Sequence, residues 1–388
     1  MINIFLFLSI AFLFTFLVGR VIEKIHVPWI FASLLLGFIF AIFNPFPSVT
    51  TSSTFNFLAE LGMYFLLFII GFEMNINKLK KASKFILKGT FIIIPLEALF
   101  GTLLVHFVFG YGWFISFAVA LSFATVGEAI LVPILDEFGI INTKLGQSII
   151  GIGAIDDIIE VYVLILIIFL IGSPLHTHTN IVLTLVSLFV MFILTFGLTK
   201  LKEEGKRFCF VNIEILFLLT LFILFLFIGV GEYSHAAPIA ALLAGISLKT
   251  FIPERRLTLI ESEIKTMCYG FFAPIFFLWV GSSIDVGYIA AYPLLVLLVV
   301  VVSSGAKIIG SYLVGKKELG RREALLLGIG LSARFSTSAI IIKLLFENKL
   351  IDVGLYSVIV TSTVIFTFFV PILFSTLLAK KKKQVGKK

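Results

Sequence analysis

Long apolar runs separated by short polar breaks extend along almost the whole chain and restrict it to one environment. Of its residues, 60% are hydrophobic and only 13% are charged. Soluble domains are about 45–50% apolar and about 25% charged, and a helix needs about 20 apolar residues to cross a bilayer. The sequence therefore predicts an all-α polytopic membrane protein with the lipid bilayer as its solvent.

The apolar runs predict thirteen transmembrane helices. Their approximate bounds are 2–18, 27–43, 57–73, 84–109, 113–135, 146–171, 180–199, 211–230, 235–250, 266–282, 289–314, 323–346 and 352–379. The segments between them are too short for a soluble domain of ordinary size.

The basic residues predict the orientation of these helices. Lysines and arginines cluster in the loops after odd-numbered helices and in the tail 380–388, whereas the loops after even-numbered helices hold only Lys349. Because cytoplasmic loops carry the excess of Lys and Arg, this pattern predicts an outside N-terminus and a cytoplasmic C-terminus. The same placement explains the net charge of +8 without a nucleic-acid partner.

Two pairs of helices, each seven positions apart, resemble each other. "FLLFIIGFEMNI" (65–76) is similar to "IFFLWVGSSIDV" (275–286), and "VPWIFASLLLGFIF" (27–40) is similar to "APIAALLAGISL" (237–248). Because an odd offset makes the second copy cross in the opposite direction, we expect an inverted repeat of helices 1–6 and 8–13, with helix 7 as a linker. Such repeats are typical of secondary transporters.

The fifth and twelfth predicted helices have polar centres in corresponding positions. The polar segments contain Thr125, Val126, Gly127 and Glu128 in the fifth helix, and Arg334 and Ser336 in the twelfth. Unwound backbone is tolerated at this depth only where protein or water satisfies it. We therefore expect two broken helices that cross near the bilayer midplane and direct the ends of their half-helices towards one site.

Three carboxylates lie within the sixth predicted helix, in "GIGAIDDIIEV" (151–161). Asp156 and Asp157 point about 100° apart and can flank one cavity, and Glu160 lies one turn from Asp156. Two carboxylates in one cavity do not both ionise cheaply, so at least one is expected to hold a proton. Their oxygens are also the ligands that a dehydrated Na⁺ or Li⁺ requires. Competition between cation and proton is sufficient for exchange if the site faces one side at a time.

Other charged residues inside predicted helices need a partner or water, since each basic one costs about 2.5–3.5 kcal/mol at the bilayer centre. Lys307 lies too far from a helix end to reach the interface easily, so we expect it to pair with an aspartate. Lys343 is expected to snorkel to the outer interface. Glu160 either supports the aspartates or forms a salt bridge with another core helix. The sequence leaves the role of Glu97 open between a structural hydrogen bond and an acid beside the site.

These motifs resemble the monovalent cation:proton antiporter superfamily, in its Kef-like and NapA-like branch. The resemblance covers nearly the whole chain and is densest over "LSFATVGEAILVPILDEFGIINTKLGQSIIGIGAIDD" (121–157). It implies that Asp157 is the main cation- and proton-binding carboxylate, with Asp156 and Thr125 beside it, and that Asp156 pairs with Lys307. A double aspartate in this family accompanies electrogenic exchange.

The resemblance also implies a homodimer in the cell membrane that works by an elevator motion, without a cofactor or a resident metal. Its transmembrane domain (1–379) would comprise a dimer or panel part (1–82 and 208–286), a core part (83–172 and 287–379) and the linker helix 180–199. Relatives usually have no acid at the first break, and many have Gly-Glu after the arginine of the second. Because this chain has Glu128 at the first and Ser336 near the second, we expect Glu128 to pair with Arg334.

The sequence thus predicts an electrogenic antiporter that exchanges a monovalent cation, Na⁺ first and Li⁺ or K⁺ as alternatives, for protons. The alternative is a cation channel or a transport-inactive ion or pH sensor on the same fold. A channel requires a continuous pore with a selectivity ring, and a single charged cluster between two broken helices fits alternating access better. No H-E-x-x-H or G-x-S-x-G motif lies in a span, so we do not expect an enzyme.

Overall fold

The computed structural model describes residues 3–74, 83–171, 181–200, 212–233, 236–252, 254–334 and 336–385. The helices in these ranges are α1 (Ile4–Glu23), α2 (Phe31–Ile42), α3 (Pro47–Thr50), α4 (Ser53–Glu73), α5 (Lys84–Phe109), α6 (Trp113–Phe123), α7 (Glu128–Glu137), α8 (Lys144–Ile171), α9 (Ile181–Lys200), α10 (Ile213–Glu232), α11 (Ala237–Phe251), α12 (Glu254–Met267), α13 (Ala273–Ser282), α14 (Val286–Ala291), α15 (Pro293–Gly315), α16 (Arg321–Leu331), α17 (Ser336–Glu347) and α18 (Val353–Val385). A π-helical turn, Cys268–Phe272, joins α12 to α13.

The all-α architecture predicted from the sequence is confirmed. Within the described ranges, seven helices are long and apolar enough to cross a membrane: α1, α4, α5, α10, the continuous helix Arg256–Ser282, α15 and α18. The pair α16 and α17, bent by 45°, gives an eighth if it is one span. The count of thirteen, the inverted repeat and the orientation of the termini stay predictions.

The contacts divide the chain into two units, of which the first comprises Met1–Ile10, Pro45–Met74 and Leu164–Trp279. Here α4 and α11 approach until their backbones touch. A Cβ added at Gly71 would lie 2.1 Å from the carbonyl oxygen of Leu242, and one added at Gly245 would lie 2.1 Å from that of Phe68. Small residues at a helix crossing permit this close packing in membrane proteins. The glycines therefore fix where these two helices cross.

The second unit comprises Ala11–Asn44, Asn75–Val163 and Val280–Lys388. Its apolar core is contributed by α5, α7, α8, α15, α16 and α18, with Phe85, Ile149 and Leu327 among the buried residues. Helix α15 packs along α5, and a Cβ added at Gly310 would lie only 3.2 Å from the Cα of Ile93. The polar residues described below all belong to this unit. The predicted division into panel, core and linker stays a prediction.

Candidate ion-binding site

Two interrupted helices form the centre of the site, as the sequence predicts. Helix α6 ends at Phe123 and α7 begins at Glu128, while α16 ends at Leu331 and α17 begins at Ser336. The two interruptions contact each other directly, since the Gly127 N–H donates to the carbonyl oxygen of Ala333 at 2.7 Å. This bond satisfies unwound backbone that has no helical partner, which the interior of a membrane requires.

Asp156 on α8 contacts the first interruption. Its carboxylate is 1% exposed and accepts a hydrogen bond from the Val126 N–H at 2.5 Å. The buried hydroxyl of Thr125 lies in the same interruption and points to a carbonyl within its own turn at 3.5 Å. The side chains of Asp157 and Glu160 lie outside the described part of the structure. Asp156 is thus placed at the crossing, and the two-aspartate site stays a prediction.

Lys307 on α15 lies beside the ends of α6 and α16, the two helices that precede the interruptions. Its Nζ donates to the carbonyl oxygens of Thr125 and Leu331, each at 2.7 Å. Leu331 is the last residue of α16, and Thr125 follows the end of α6 by two residues, so both oxygens lie at the negative ends of these helices. It also forms an ion pair with Glu97 Oε2 at 3.2 Å, and both side chains are fully buried. The predicted pair between Lys307 and Asp156 stays a prediction.

Arg334 in the second interruption is fully buried and reaches the same acid. Its Nη2 donates to Ser303 Oγ and lies 3.3 Å from Glu97 Oε1. Its guanidinium carbon lies 4.0 Å from the centre of the Phe366 ring and 5.3 Å from that of Phe123. Aromatic faces stabilise a cation in a desolvated setting, so the rings help to hold this charge in the interior.

Sequence reasoning left Glu97 unassigned and did not identify Ser303. Glu97 on α5 lies between the two basic residues, and Ser303 Oγ donates to Glu97 Oε1. One signal was available: Ser303 precedes Lys307 by four residues, so both lie on the same face of α15. The predicted partner of Arg334 was Glu128, whose side chain lies outside the described residues. The pair between Glu128 and Arg334 therefore stays a prediction, whereas the pair between Glu97 and Arg334 is observed.

The described part of the cluster contains two acidic and two basic side chains, all buried: Glu97, Asp156, Lys307 and Arg334. A buried charge is stable only when it is paired and hydrogen-bonded. The interruptions supply carbonyl oxygens to the lysine and an N–H group to the aspartate. The arrangement therefore holds ionised groups away from solvent at the point where the helices are open. The residues that the structure describes contain no group of three or more metal-ligating side chains.

Lys343 does not snorkel, so this expectation is wrong. Its side chain is 1% exposed and pairs with Glu347 Oε1 at 2.7 Å. Its Nζ also donates to Ser283 Oγ at 2.7 Å and lies 5.2 Å and 5.4 Å from the ring centres of Phe346 and Tyr356. The pairing and the aromatic faces stabilise the charge inside the protein, so it does not need to reach the interface.

Known proteins that are similar to this chain are described as exchangers and antiporters. The family described as "sodium/hydrogen exchanger, transmembrane" matches residues 8–380. A Na⁺/H⁺ antiporter of Enterococcus hirae is 25% identical, covering 81% of this chain and 82% of the relative. A probable Na⁺/H⁺ antiporter 3 of Methanocaldococcus jannaschii is 27% identical, covering 73% and 71%.

A further relative and a solved structure extend the comparison. The glutathione-regulated potassium-efflux protein KefC of Cronobacter sakazakii is 28% identical over 73% of this chain and 46% of its own. The structure of the sodium proton antiporter MjNhaP1 of M. jannaschii is similar in fold, with a TM-score of 0.68, 20% identity and coverage of 96% and 97%. Because the family match spans nearly the whole sequence, this chain belongs to the sodium/hydrogen exchanger family of the monovalent cation:proton antiporter superfamily, whose members are transporters and not enzymes.

Proposed function

We propose that this protein is an electrogenic secondary antiporter that exchanges Na⁺, with Li⁺ or K⁺ as alternative cations, for protons by alternating access. Its family and its antiporter relatives support exchange as the activity. The observation that carries the proposal is the buried Asp156 carboxylate, held by backbone at the crossing of two interrupted helices. The proposal includes a homodimer in the cell membrane, with its N-terminus outside and its C-terminus in the cytoplasm.

The proposed site consists of Asp157 as the main ligand, with Asp156 and Thr125 beside it. A dehydrated monovalent cation prefers oxygen ligands, as hard cations do in general. The same carboxylates bind protons when the cation leaves, because two carboxylates that share one site do not both stay ionised without a counter-charge. Cation and proton therefore compete for one set of oxygens. A movement that exposes these oxygens to alternate sides converts the competition into exchange.

The proposed stoichiometry is two protons for each cation. Each cycle then moves one net charge, and each charge is worth about 2.3 kcal/mol per 100 mV of membrane potential. An exchanger of this kind extrudes the cation by using voltage as well as the pH gradient. This activity suits salt tolerance and pH homeostasis.

Proteoliposomes with an imposed pH gradient test the proposal. Na⁺, Li⁺ and K⁺ are added in turn to the wild type, to Asp157→Asn and to Asp136→Asn, a matched control because Asp136 is an exposed aspartate of α7. We expect collapse of the gradient with at least one cation, its loss in Asp157→Asn and its retention in the control. If no cation moves protons in the wild type from mildly acidic to alkaline pH, the proposal is wrong. Cation flux without proton movement would indicate a channel instead.

A further inference from the structure

The ammonium group of Lys307 is surrounded by three oxygens. Its Nζ donates to two of them, the carbonyl oxygens of Thr125 and Leu331, at 2.7 Å each, and forms an ion pair with the third, Glu97 Oε2, at 3.2 Å. A lysine ammonium has three donors and no acceptor, so the charged form matches this surrounding. A neutral amine has only two N–H groups and would leave one buried oxygen facing a lone pair, which is costly in a dry interior.

Glu97 is held in place on its other side. Its Oε1 accepts from Ser303 Oγ and lies 3.3 Å from Arg334 Nη2, and Ser303 accepts from the same arginine. The serine therefore links the acid of α5 to the arginine of the second interruption. Because the arginine does not lose its proton in proteins, Glu97 lies between a permanent positive charge and Lys307 and is stabilised as a carboxylate.

We propose that Lys307 keeps its proton throughout the transport cycle, and that Glu97, positioned by Ser303 and Arg334, is the residue that keeps it charged. This inference rests on the proposed function, in which the aspartates of α8 exchange protons for the cation. It assigns both exchanged protons to carboxylates and none to the lysine. The charged groups that act on Lys307 within the described residues are Glu97, Arg334 and Asp156.

The charge balance of the cluster is consistent with this assignment. With both aspartates protonated, the lysine, the arginine and Glu97 together carry one net positive charge. When both aspartates are ionised and one monovalent cation is bound, the cluster is neutral. The proton-loaded and cation-loaded states therefore differ by one charge. Exchange of two protons for one cation also moves one net charge in each cycle.

Lys307→Arg separates the fixed-charge role from a proton-carrying role, because arginine keeps the charge and has no proton to release. The ratio of protons to cations is measured in proteoliposomes as the voltage that stops cation flux against a fixed cation gradient at equal pH. For one net charge per cycle, a tenfold gradient is balanced at about 59 mV. We expect the variant to keep the wild-type null voltage even if its rate falls. If cation flux through the wild type depends on voltage and cation flux through Lys307→Arg does not, the inference is wrong.

Glu97 variants test the same inference if the larger arginine does not fit. Glu97→Gln removes the carboxylate that keeps Lys307 charged, so the lysine loses its proton within the pH range of exchange and its titration shifts the pH of half-maximal exchange. We expect a shift of about one pH unit, or tenfold in proton concentration, as for one lost charge interaction. Glu97→Asp keeps the charge and should keep the wild-type profile. Glu318→Gln, in the exposed pair with Lys144, is the matched control.

The outcomes of these experiments separate the two proposals. A wild-type pH profile in Glu97→Gln would overturn the role of Glu97, since a residue that only packs would not move the profile. Absence of cation-dependent proton movement in the wild type would refute the proposed function itself. Exchange in the wild type with an altered ratio in Lys307→Arg would refute only the fixed charge of the lysine.

Discussion

The link made by Ser303 gives a prediction with a built-in control. Ser303 donates to Glu97 and accepts from Arg334, whereas its neighbour Ser304 donates only to the carbonyl oxygen of Val300 at 2.7 Å, within the same helix. Ser303→Ala and Ser304→Ala therefore remove the same hydroxyl from adjacent positions of α15. Only the first substitution removes contacts with charged groups.

The expected difference follows from these contacts. A hydrogen bond to a charged group contributes about 1.5–3 kcal/mol, and Ser303 makes two of them. Arg334 keeps its 3.3 Å contact with Glu97 in the variant, and alanine favours the helix by up to about 0.7 kcal/mol. We therefore expect Ser303→Ala to lower the free energy of unfolding by about 2–4 kcal/mol, from these same values. Ser304→Ala should change it by less than about 0.5 kcal/mol.

Thermal unfolding of the purified protein in detergent measures this difference. At about 2 °C per kcal/mol for a large domain, Ser303→Ala should unfold about 4–8 °C below the wild type. Unfolding of such proteins is often irreversible, so all variants are compared at one scan rate. Unfolding temperatures that are the same for the two alanine variants would refute the link between Glu97 and Arg334.

Three further predictions concern other parts of the structure. Gly245→Ala should destabilise the protein by about 1–3 kcal/mol in thermal unfolding, because its Cβ would overlap a backbone oxygen of α4, whereas Gly229→Ala, with nothing within 4 Å of its Cβ, should be neutral. Burial raises the pKa of Tyr111, between α5 and α6, to about 12. Because this tyrosine ionises at lower pH in the unfolded chain than in the folded protein, stability falls as the pH rises above about 10. Tyr111→Phe should weaken that fall when unfolding temperatures are measured over a pH series. Glu347→Gln should destabilise more than Lys343→Met, because the first leaves a buried ammonium with a weaker partner and the second removes it; equal unfolding temperatures would contradict this order.

The interruptions of the two helices were predictable because the signal is local. Polar residues around Gly127 and around Arg334 occur within otherwise apolar helices, and such residues are expensive in a membrane unless the backbone opens around a site. The sequence also identified Asp156 and Lys307 as central, since an ionisable group in the middle of a span needs a partner. Each of these inferences depends on the sequence of a single helix and not on how the helices pack together.

The partners of these groups were not predictable, because pairing depends on how distant helices approach. Glu97 and Ser303 lie on α5 and α15, 206 residues apart in sequence, and no sequence pattern gives the distance between their side chains. That distance depends on close packing, for which Gly310 leaves room beside Ile93. The expectation for Lys343 failed only in part for this reason. Ser283 and Tyr356 reach it only in the folded protein, but Glu347 lies four residues along the same helix, a spacing that the sequence shows.

The buried charges of this cluster are better explained by transport than by stability. Replacement of a buried ion pair by apolar residues of similar volume is often neutral or stabilising, whereas removal of one partner is strongly destabilising. A fold that needed only stability would therefore lose little by having an apolar centre.

A carboxylate that exchanges protons for a cation needs the opposite setting. It needs fixed positive charges near enough to lower the cost of ionisation, and these charges must be held by partners that do not leave with the transported ion. Glu97, Ser303 and the carbonyl oxygens at the two interruptions provide such partners for Lys307 and Arg334. This requirement explains why the charges lie where the helices are open, since only there do backbone groups have free hydrogen-bonding capacity to hold them.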